Sequence, residues 1–431
     1  MHPRYGSLGA GDPEPTTTPY DKRILMSTHL ILTVGTGTSG KHSNLAQGLL
    51  NTLKQLAPDK YWLVPSVSPD SIAVADLIRE NHGSPGSFES WNEHDHYCQI
   101  LQPDDLECCR TTLREVIGHV RLNNSKGRLL INPTSGTKQM SVGATLAALE
   151  MSDGEIVFTV GQRSEGVVIT GTEKIVTFDS RAFLRERDQE KAKTLFDSGA
   201  YWGAAKIIHT HTLIELYHFY LAMHYWQRLD YTKARLEMAA VTSSNLKNVR
   251  AHLETLSSGN ELRLEVLVDL LISAERLAQW GENESALGRV YRTLELGAKY
   301  RLASEHNIMP PYKSDDLCQL MPRLTDYFKN LEGDNGECFL GLNQSMELLG
   351  KMDDVLADGY RSDQKLRLLV QRRNQTVIGH GTKSINRDEI ENALQGSVAL
   401  FSHAITGFKE AYHYASSVRP KNLGMTISKS T

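Results

Sequence analysis

His29-Leu-Ile-Leu-Thr-Val34, followed at once by Gly35-Thr-Gly-Thr-Ser-Gly40, decides the fold of the first half of the chain. The first run is short, apolar and partly β-branched, and it stops where the glycines begin, so it reads as a buried strand. Helical spacing resumes over Asn44 to Leu56, giving strand, glycine loop and helix in succession. The pattern returns in YWLVPSV (Tyr61 to Val67), in RLLIN (Arg128 to Asn132) with a polar loop and a helix over Met140 to Leu149, and in EIVFTV (Glu155 to Val160). Strands alternating with helices imply a Rossmann-like α/β domain whose parallel sheet is covered on both faces. Gly166 to Phe178 is expected to close that domain as a hairpin or a pair of edge strands.

Past about Ser180 the strand-like runs vanish. Arg185 to Leu229, Glu261 to Trp280 and Ser285 to Ala303 carry helical spacing, so the second half is expected to be all-α. Breaks fall at Ser257-Ser-Gly-Asn260, Met309-Pro-Pro311 and Glu332-Gly-Asp-Asn-Gly336, each a junction between helices. The expected organisation is a disordered leader over 1–25, the Rossmann-like domain over 26–180, a helical connecting region over 181–283, a second helical domain over 284–418 and a loose tail over 419–431.

Length and composition exclude several classes. A chain of 431 residues suits two or three domains, and 40% hydrophobic with 23% charged residues is ordinary for a globular protein. No apolar run reaches the roughly 20 residues of a membrane span. Cys98, Cys108, Cys109, Cys318 and Cys338 form no disulfide framework, which fits a reducing cytoplasm. A formal charge of −4 argues against a protein that coats nucleic acid indiscriminately. His94, His96 and Cys98 lie near Cys108 and Cys109, but their spacings match no ordinary structural zinc site, and no metal is expected. His209, His211, His218 and His224, among Trp202, Tyr217, Phe219, Tyr220 and Trp226, read as packing positions.

Gly35 to Lys41 (GTGTSGK) imitates a P-loop between strand and helix, and an NTPase is the reading it invites. The match fails at the next position, where a magnesium-holding Ser or Thr is required and His42 stands. RLLIN ends in Asn132, where such an enzyme needs an acid. What survives is a loop able to bind phosphate without hydrolysing a triphosphate. Gly35, Thr36, Gly37, Thr38 and Ser39 offer outward-pointing amides and hydroxyls at the positive end of the following helix.

A second loop, Pro133-Thr-Ser-Gly-Thr-Lys-Gln-Met140, opens directly into an apolar helix. In a doubly wound sheet ligands collect at the carboxyl ends of strands where the winding reverses, so both loops are expected to face one crevice. Asn132, Thr134, Ser135 and Thr137 can hydrogen-bond ribose or base edges, Lys138 supplies a charge for phosphate, and Gly136 and Gln139 complete the loop. VGTGTSG (Val34 to Gly40) and NPTSGTKQM (Asn132 to Met140) resemble the CARF family, Rossmann-like sensors of the cyclic oligoadenylates made during type III CRISPR defence. The resemblance covers about Leu30 to Phe178. It implies a homodimer in which two copies of these loops make one symmetric pocket for a cyclic oligoadenylate, which acts as activator with no other cofactor required.

Leu366 to Gly381 reads LRLLVQRRNQTVIGHG, a helical run leading into Arg373, Asn374 and His380. In an α-helix a separation of seven residues returns to nearly the same face, about 10.5 Å along the axis, so Arg373 and His380 are expected to line one side. RNA carries its own nucleophile in the 2′-hydroxyl, so an imidazole to move protons and a guanidinium to hold phosphate oxygens suffice, without a metal. RNxxxxxHG resembles the RNase motif of HEPN domains, and Arg289-Val-Tyr-Arg-Thr-Leu-Glu-Leu-Gly297 looks like the polar helix of CRISPR-associated proteins that pair CARF with HEPN. That likeness covers roughly Glu284 to Ala415. Together the resemblances imply a cytoplasmic, homodimeric endoribonuclease that cuts single-stranded RNA, with Arg373, Asn374 and His380 as its catalytic residues. Gly379 and Gly381 depart from an ideal helix and place His380 in a final, fraying turn. Arg361, Lys365, Arg367, Arg372, Lys383 and Arg387 form a basic stretch able to guide RNA, whereas Arg292 and Glu295 read as a structural ion pair. The rival readings are a nucleotide-sensing RNA-binding regulator with a non-catalytic helical half, and the P-loop NTPase.

Overall fold

The computed structural model describes residues 27–420 except 37–41, 82, 84, 125–126, 152–153, 165–166, 170 and 212. The expected leader, the tail beyond residue 420, and Gly37, Thr38 and Ser39 of the first loop lie outside the described residues. The chain divides into two compact units, Met1–Glu186 and Arg187–Thr431.

The first unit contains β1 (Thr28–Val34), α1 (His42–Leu56), β2 (Lys60–Pro65), α2 (Pro69–Arg79), β3 (Ser87–Phe88), α3 (Leu106–Asn123), β4 (Arg128–Asn132), α4 (Lys138–Glu150), β5 (Glu155–Val160), β6 (Arg163–Ser164), β7 (Val167–Val168) and β8 (Lys174–Phe178). The sheet runs β3-β2-β1-β4-β5-β8, with every pair parallel except the last. Alternation along β1 explains why the sheet is covered twice. Leu30, Leu32 and Val34 pack with Leu49 and Leu53 of α1 and Val74 and Ile78 of α2, while Ile31 joins Leu113 and Ile117 of α3 and Ala144 and Ala147 of α4.

Chain order reverses between β1 and β4, which places the loops after these two strands side by side at the switch point. The α/β Rossmann-like reading therefore holds, with one amendment: the sheet is parallel except at its β8 edge. Of the segment Gly166 to Phe178, only β8 joins the sheet, and β7 pairs with β6 in a separate two-residue ladder.

The second unit is all-helical. It follows α5 (Ser180–Asp197), within which the division falls, with α6 (Tyr201–His209), α7 (Ile214–Gln227), α8 (Tyr231–Ala239), α9 (Lys247–Ser257), α10 (Leu264–Gln279), α11 (Asn283–His306), α12 (Ser314–Leu320) and α13 (Thr325–Leu331). Then come α14 (Leu342–Lys351), α15 (Val355–Ser362), α16 (Gln364–Arg373), α17 (Arg387–Ala404) and α18 (Phe408–Val418). One hydrophobic core runs from Ala192 to Val418 and draws on residues from both sides of position 284. The stretch Arg185 to Leu229 breaks into three helices. The first break is at Gly199, whose φ of +79° and position against the Trp280 ring admit no side chain.

Helix α11 forms the wall on which the C-terminal helices rest. A Cβ at Gly297 would lie 2.3 Å from the ring of Phe401, which is fully buried on α17. The ring therefore has no room to retreat, and Gly297→Ala is expected to cost about 1–3 kcal/mol through overpacking, in spite of alanine's better helix propensity. Urea unfolding followed by the helical circular dichroism signal should show a lowered midpoint. An unchanged or raised midpoint would show that Phe401 can move.

Candidate functional site

At the switch point of the first unit the two loops meet through glycines. A Cβ on Gly35 would fall 2.6 Å from the backbone nitrogen of Gly136, and Gly136 itself has a φ of +117° with its α-carbon against Met140. The polar side chains around them hold this approach. The Gly35 amide donates to Ser135 Oγ at 3.0 Å, and the buried Thr33 hydroxyl donates to the Ser135 carbonyl. Asn132 is 1% exposed, donates to Thr159 Oγ1 at 2.9 Å and accepts from the Thr134 amide at 3.0 Å. The Thr159 amide closes the ring by donating to Thr134 Oγ1 at 2.8 Å.

Thr137 caps α4 by accepting from the Met140 amide, and its hydroxyl donates to the Pro103 carbonyl. Asn132, Thr134, Ser135 and Thr137, expected to reach toward a ligand, are instead engaged with the protein. The reason is that a tight loop beside a buried strand must satisfy its own polar groups first. The exposed groups are Thr36, Gly136 and Lys138, with Gln139 half-buried, at the N-terminus of a 13-residue helix. That end favours anions. His42 begins α1 and pairs with Asp70 at 3.2 Å, occupying the place where a P-loop would hold magnesium.

In the second unit Arg373, Asn374 and His380 converge differently from the helical spacing. Helix α16 ends at Arg373, and Asn374 is its C-cap. The chain then turns back instead of continuing: the Thr376 hydroxyl donates to the Arg373 carbonyl, the His380 amide to the Asn374 carbonyl at 3.2 Å, and the Gly381 amide to the Thr376 carbonyl at 3.1 Å. The flanking glycines permit this reversal. A Cβ on Gly379 would meet the Arg373 carbonyl at 2.6 Å, and one on Gly381 would meet the Gln375 carbonyl at 2.0 Å. Arg373 and His380 therefore do not line a helix face. A closed loop brings the His380 backbone onto the end of α16, and the imidazole is exposed.

Helix α11 backs this loop. The Arg373 guanidinium lies 4.3 Å over the Tyr291 ring, and its Nε is buried without a hydrogen-bond partner. At that distance the ring attracts the cation and holds Arg373 against α11. A Cβ on Gly288 would touch Ile378, and Asn283 and Glu284 bond the backbone of Ile385. Tyr291, which backs Arg373, is a neighbour that motif reading passes over, although it lies inside the polar segment Arg289 to Gly297. Of the basic stretch, Arg361, Arg372 and Arg387 pair with carboxylates, whereas Lys365 and Arg367 have none among the described residues. Arg292 pairs with Glu295 at 2.8 Å. Among the described residues no group of side chains is arranged to hold a metal, and no helix is long and apolar enough to cross a membrane.

Residues 257–401 match the family described as the Csm6 HEPN domain, a span that contains Arg373, Asn374 and His380. Among solved structures, the chain is similar to Enterococcus italicus Csm6 bound to cyclic hexa-2′-fluoro-hexa-dAMP. Identity is 14%, the TM-score is 0.58, and the match covers 91% of this chain and 99% of that one. No curated protein matches. At that identity the second likeness speaks for the fold, a Rossmann-like half joined to a helical half over nearly the whole length. The family match bears out the HEPN reading for residues 257–401, and the shared architecture bears out the expected fold of a Rossmann-like half followed by a helical half.

The loop geometry can be tested without an activity. Gly381→Ala is expected to break the reversal and strip hydrogen-exchange protection from the amides of His380 and Gly381, whereas His380→Ala leaves the protection of Gly381 intact. Equal protection in Gly381→Ala and wild type would mean the glycine is not what allows the turn.

Proposed function

We propose that this chain is a cyclic oligoadenylate-activated endoribonuclease that cleaves single-stranded RNA by attack of the RNA's own 2′-hydroxyl, with Arg373, Asn374 and His380 as its catalytic residues. The observation that carries the reading is the closed loop within the Csm6 HEPN match, which ties the backbone of His380, whose side chain is exposed, to the helix end that bears Arg373, itself seated on an aromatic ring. An imidazole can accept the proton of the 2′-hydroxyl or donate one to the departing 5′-oxygen. In a homodimer two copies of the loop divide these tasks between two histidines. Arg373 stabilises the charge that builds on the non-bridging oxygens, and Asn374 orients phosphate. The new bond joins the 2′-oxygen to phosphorus as the bond to the 5′-oxygen breaks, leaving a 2′,3′-cyclic phosphate and a 5′-hydroxyl. No step calls on a metal.

The activator site is the crevice at the switch point, where Thr36, Gly136, Lys138 and Gln139 face outward and the α4 N-terminus supplies positive potential. Gly35, Asn132, Thr134, Ser135 and Thr137 shape it from beneath. Two crevices related by a twofold axis suit a ring of repeated nucleotides. The solved Csm6 with its bound hexanucleotide ring supports this class of ligand. Activation requires that the ring bind the cleaving arrangement more tightly than the resting one.

The test is cleavage of a fluorescent single-stranded RNA in EDTA, with and without cyclic tetra- or hexaadenylate. One ring is expected to activate strongly. His380→Ala should lower the rate by about 10²–10⁴ and Arg373→Ala by about 10²–10³. RNA binding without cleavage under every condition would leave a nucleotide-sensing regulator. Magnesium-dependent phosphate release that collapses on Lys41→Ala would instead establish the NTPase.

A further inference from the structure

The face formed by α6 and α7 presents aromatic rings and one cation, Lys206, that has no carboxylate partner among the described residues. Trp202, Lys206 and His209 follow one another at helical spacing along α6, and a rise of about 1.5 Å per residue spreads them over about 10.5 Å. Trp202 is 46% exposed, although a ring of this size usually gains more from burial than any other side chain. Its neighbours in the chain are not displaced: Tyr201, Ala204, Ala205 and Ile208 are all buried, so the helix is well seated and Trp202 faces outward by its register.

The surroundings of the ring are cationic. Lys206 Nζ sits 5.5 Å from the centre of the Trp202 ring and has no carboxylate partner among the described residues. The His224 ring, on α7, lies 5.4 Å from Trp202, and burial together with the neighbouring Arg228 pushes its imidazole below the usual value, which keeps it a neutral ring. At the other end His209 and Tyr217 form a second ring pair at 5.0 Å. Between the pairs is a recess of ≈ 220 Å³ lined by Trp202, Ala205, Lys206, His209 and Tyr217. By contrast His211 and His218, on neighbouring positions, are committed to Asp188 and Glu237 and belong to the fold.

An exposed ring beside a cation without a carboxylate partner is what an unpaired base and its phosphate require. Each base stacks on a π-face irrespective of sequence, while the cation tracks the backbone. The span of about 10.5 Å accommodates about three base steps of about 3.4 Å. We propose that the α6–α7 face is a second binding surface for single-stranded RNA, separate from the Arg373–His380 loop, with Trp202 as its stacking platform and Lys206 as its phosphate contact. That the occupant is RNA rests on the function proposed above. The surface grips substrate without touching the scissile bond, so it raises the affinity for long strands.

The experiment measures binding of a fluorescein-labelled, A-rich single-stranded RNA of about 20 nucleotides by fluorescence anisotropy, in full-length His380→Ala protein, so that cleavage does not intervene. Adding Trp202→Ala is expected to weaken binding at least about fivefold, and Trp202→Phe to restore most of it. Adding Lys206→Gln, a change at an exposed position, is expected to reduce the slope of log affinity against log salt by about 0.7. Unchanged affinity and slope in both variants would overturn the proposal. So would a loss of affinity accompanied by a lower sedimentation coefficient, because the face would then be a contact between two copies of the chain. Wild-type protein that cuts no RNA, combined with Trp202-dependent binding, would sink the nuclease reading and leave this surface standing.

Discussion

Helix α11 can carry the geometry of the helical half because it is smooth where others must approach. Gly297 admits the Phe401 ring and Gly288 admits Ile378, while Tyr291, between them, offers its face to Arg373. On the opposite side Arg289 donates to Ser273 Oγ and to the Gln227 carbonyl, both at 2.6 Å, tying the helix to α10 and to the end of α7. A side chain at Gly297 would push α17 away from the wall, whereas one at Gly288 would reach Ile378 at ordinary contact distance. The candidate nuclease loop is thus held from behind by α11, through the Tyr291 ring against Arg373 and through the hydrogen bonds of Asn283 and Glu284 to Ile385.

The same economy rules the crevice of the Rossmann-like unit. Backbone atoms of Gly35 and Gly136 approach so closely that only their lack of a Cβ allows it, and the side chains that an anion might have used are spent on holding that approach. Asn132 and Thr134 satisfy each other and Thr159 in a buried ring of hydrogen bonds. Breaking one leaves an unpaired buried partner, which costs about 1–3 kcal/mol. What remains to meet a ligand is what a preorganised anion site needs: an exposed lysine and the start of a capped helix.

Much of this was legible in the sequence, and the failures have physical causes. RLLIN and EIVFTV coincide with β4 and β5 because short apolar runs bounded by polar loops have few other uses. Helix α3 is hard to see in the pattern, since it buries Cys109, Leu113, Val116, Ile117 and Val120 on one face but opens among acidic, cysteine and arginine residues. Spacing set Arg373 and His380 on one helix face, and it could not reveal that Gly379 and Gly381 serve a chain reversal. A motif lists residue types in order; the close approaches that make it a site depend on tertiary neighbours such as Tyr291. Likewise the hydroxyls of the second loop announced a polar cradle, but only the hydrogen-bond partners tell scaffold from contact.

The central claim is that the Arg373–His380 loop cleaves RNA through the RNA's own 2′-hydroxyl. Its most direct test replaces the single nucleotide 5′ to the preferred cut with its 2′-deoxy analogue in an otherwise identical strand, under activating conditions and in EDTA. The account predicts that cleavage at that bond disappears while bonds on either side remain susceptible, and that products from the unmodified strand end in a 2′,3′-cyclic phosphate. Cleavage at the deoxy position would mean an external nucleophile attacks the phosphorus, and would contradict the assignment of this site.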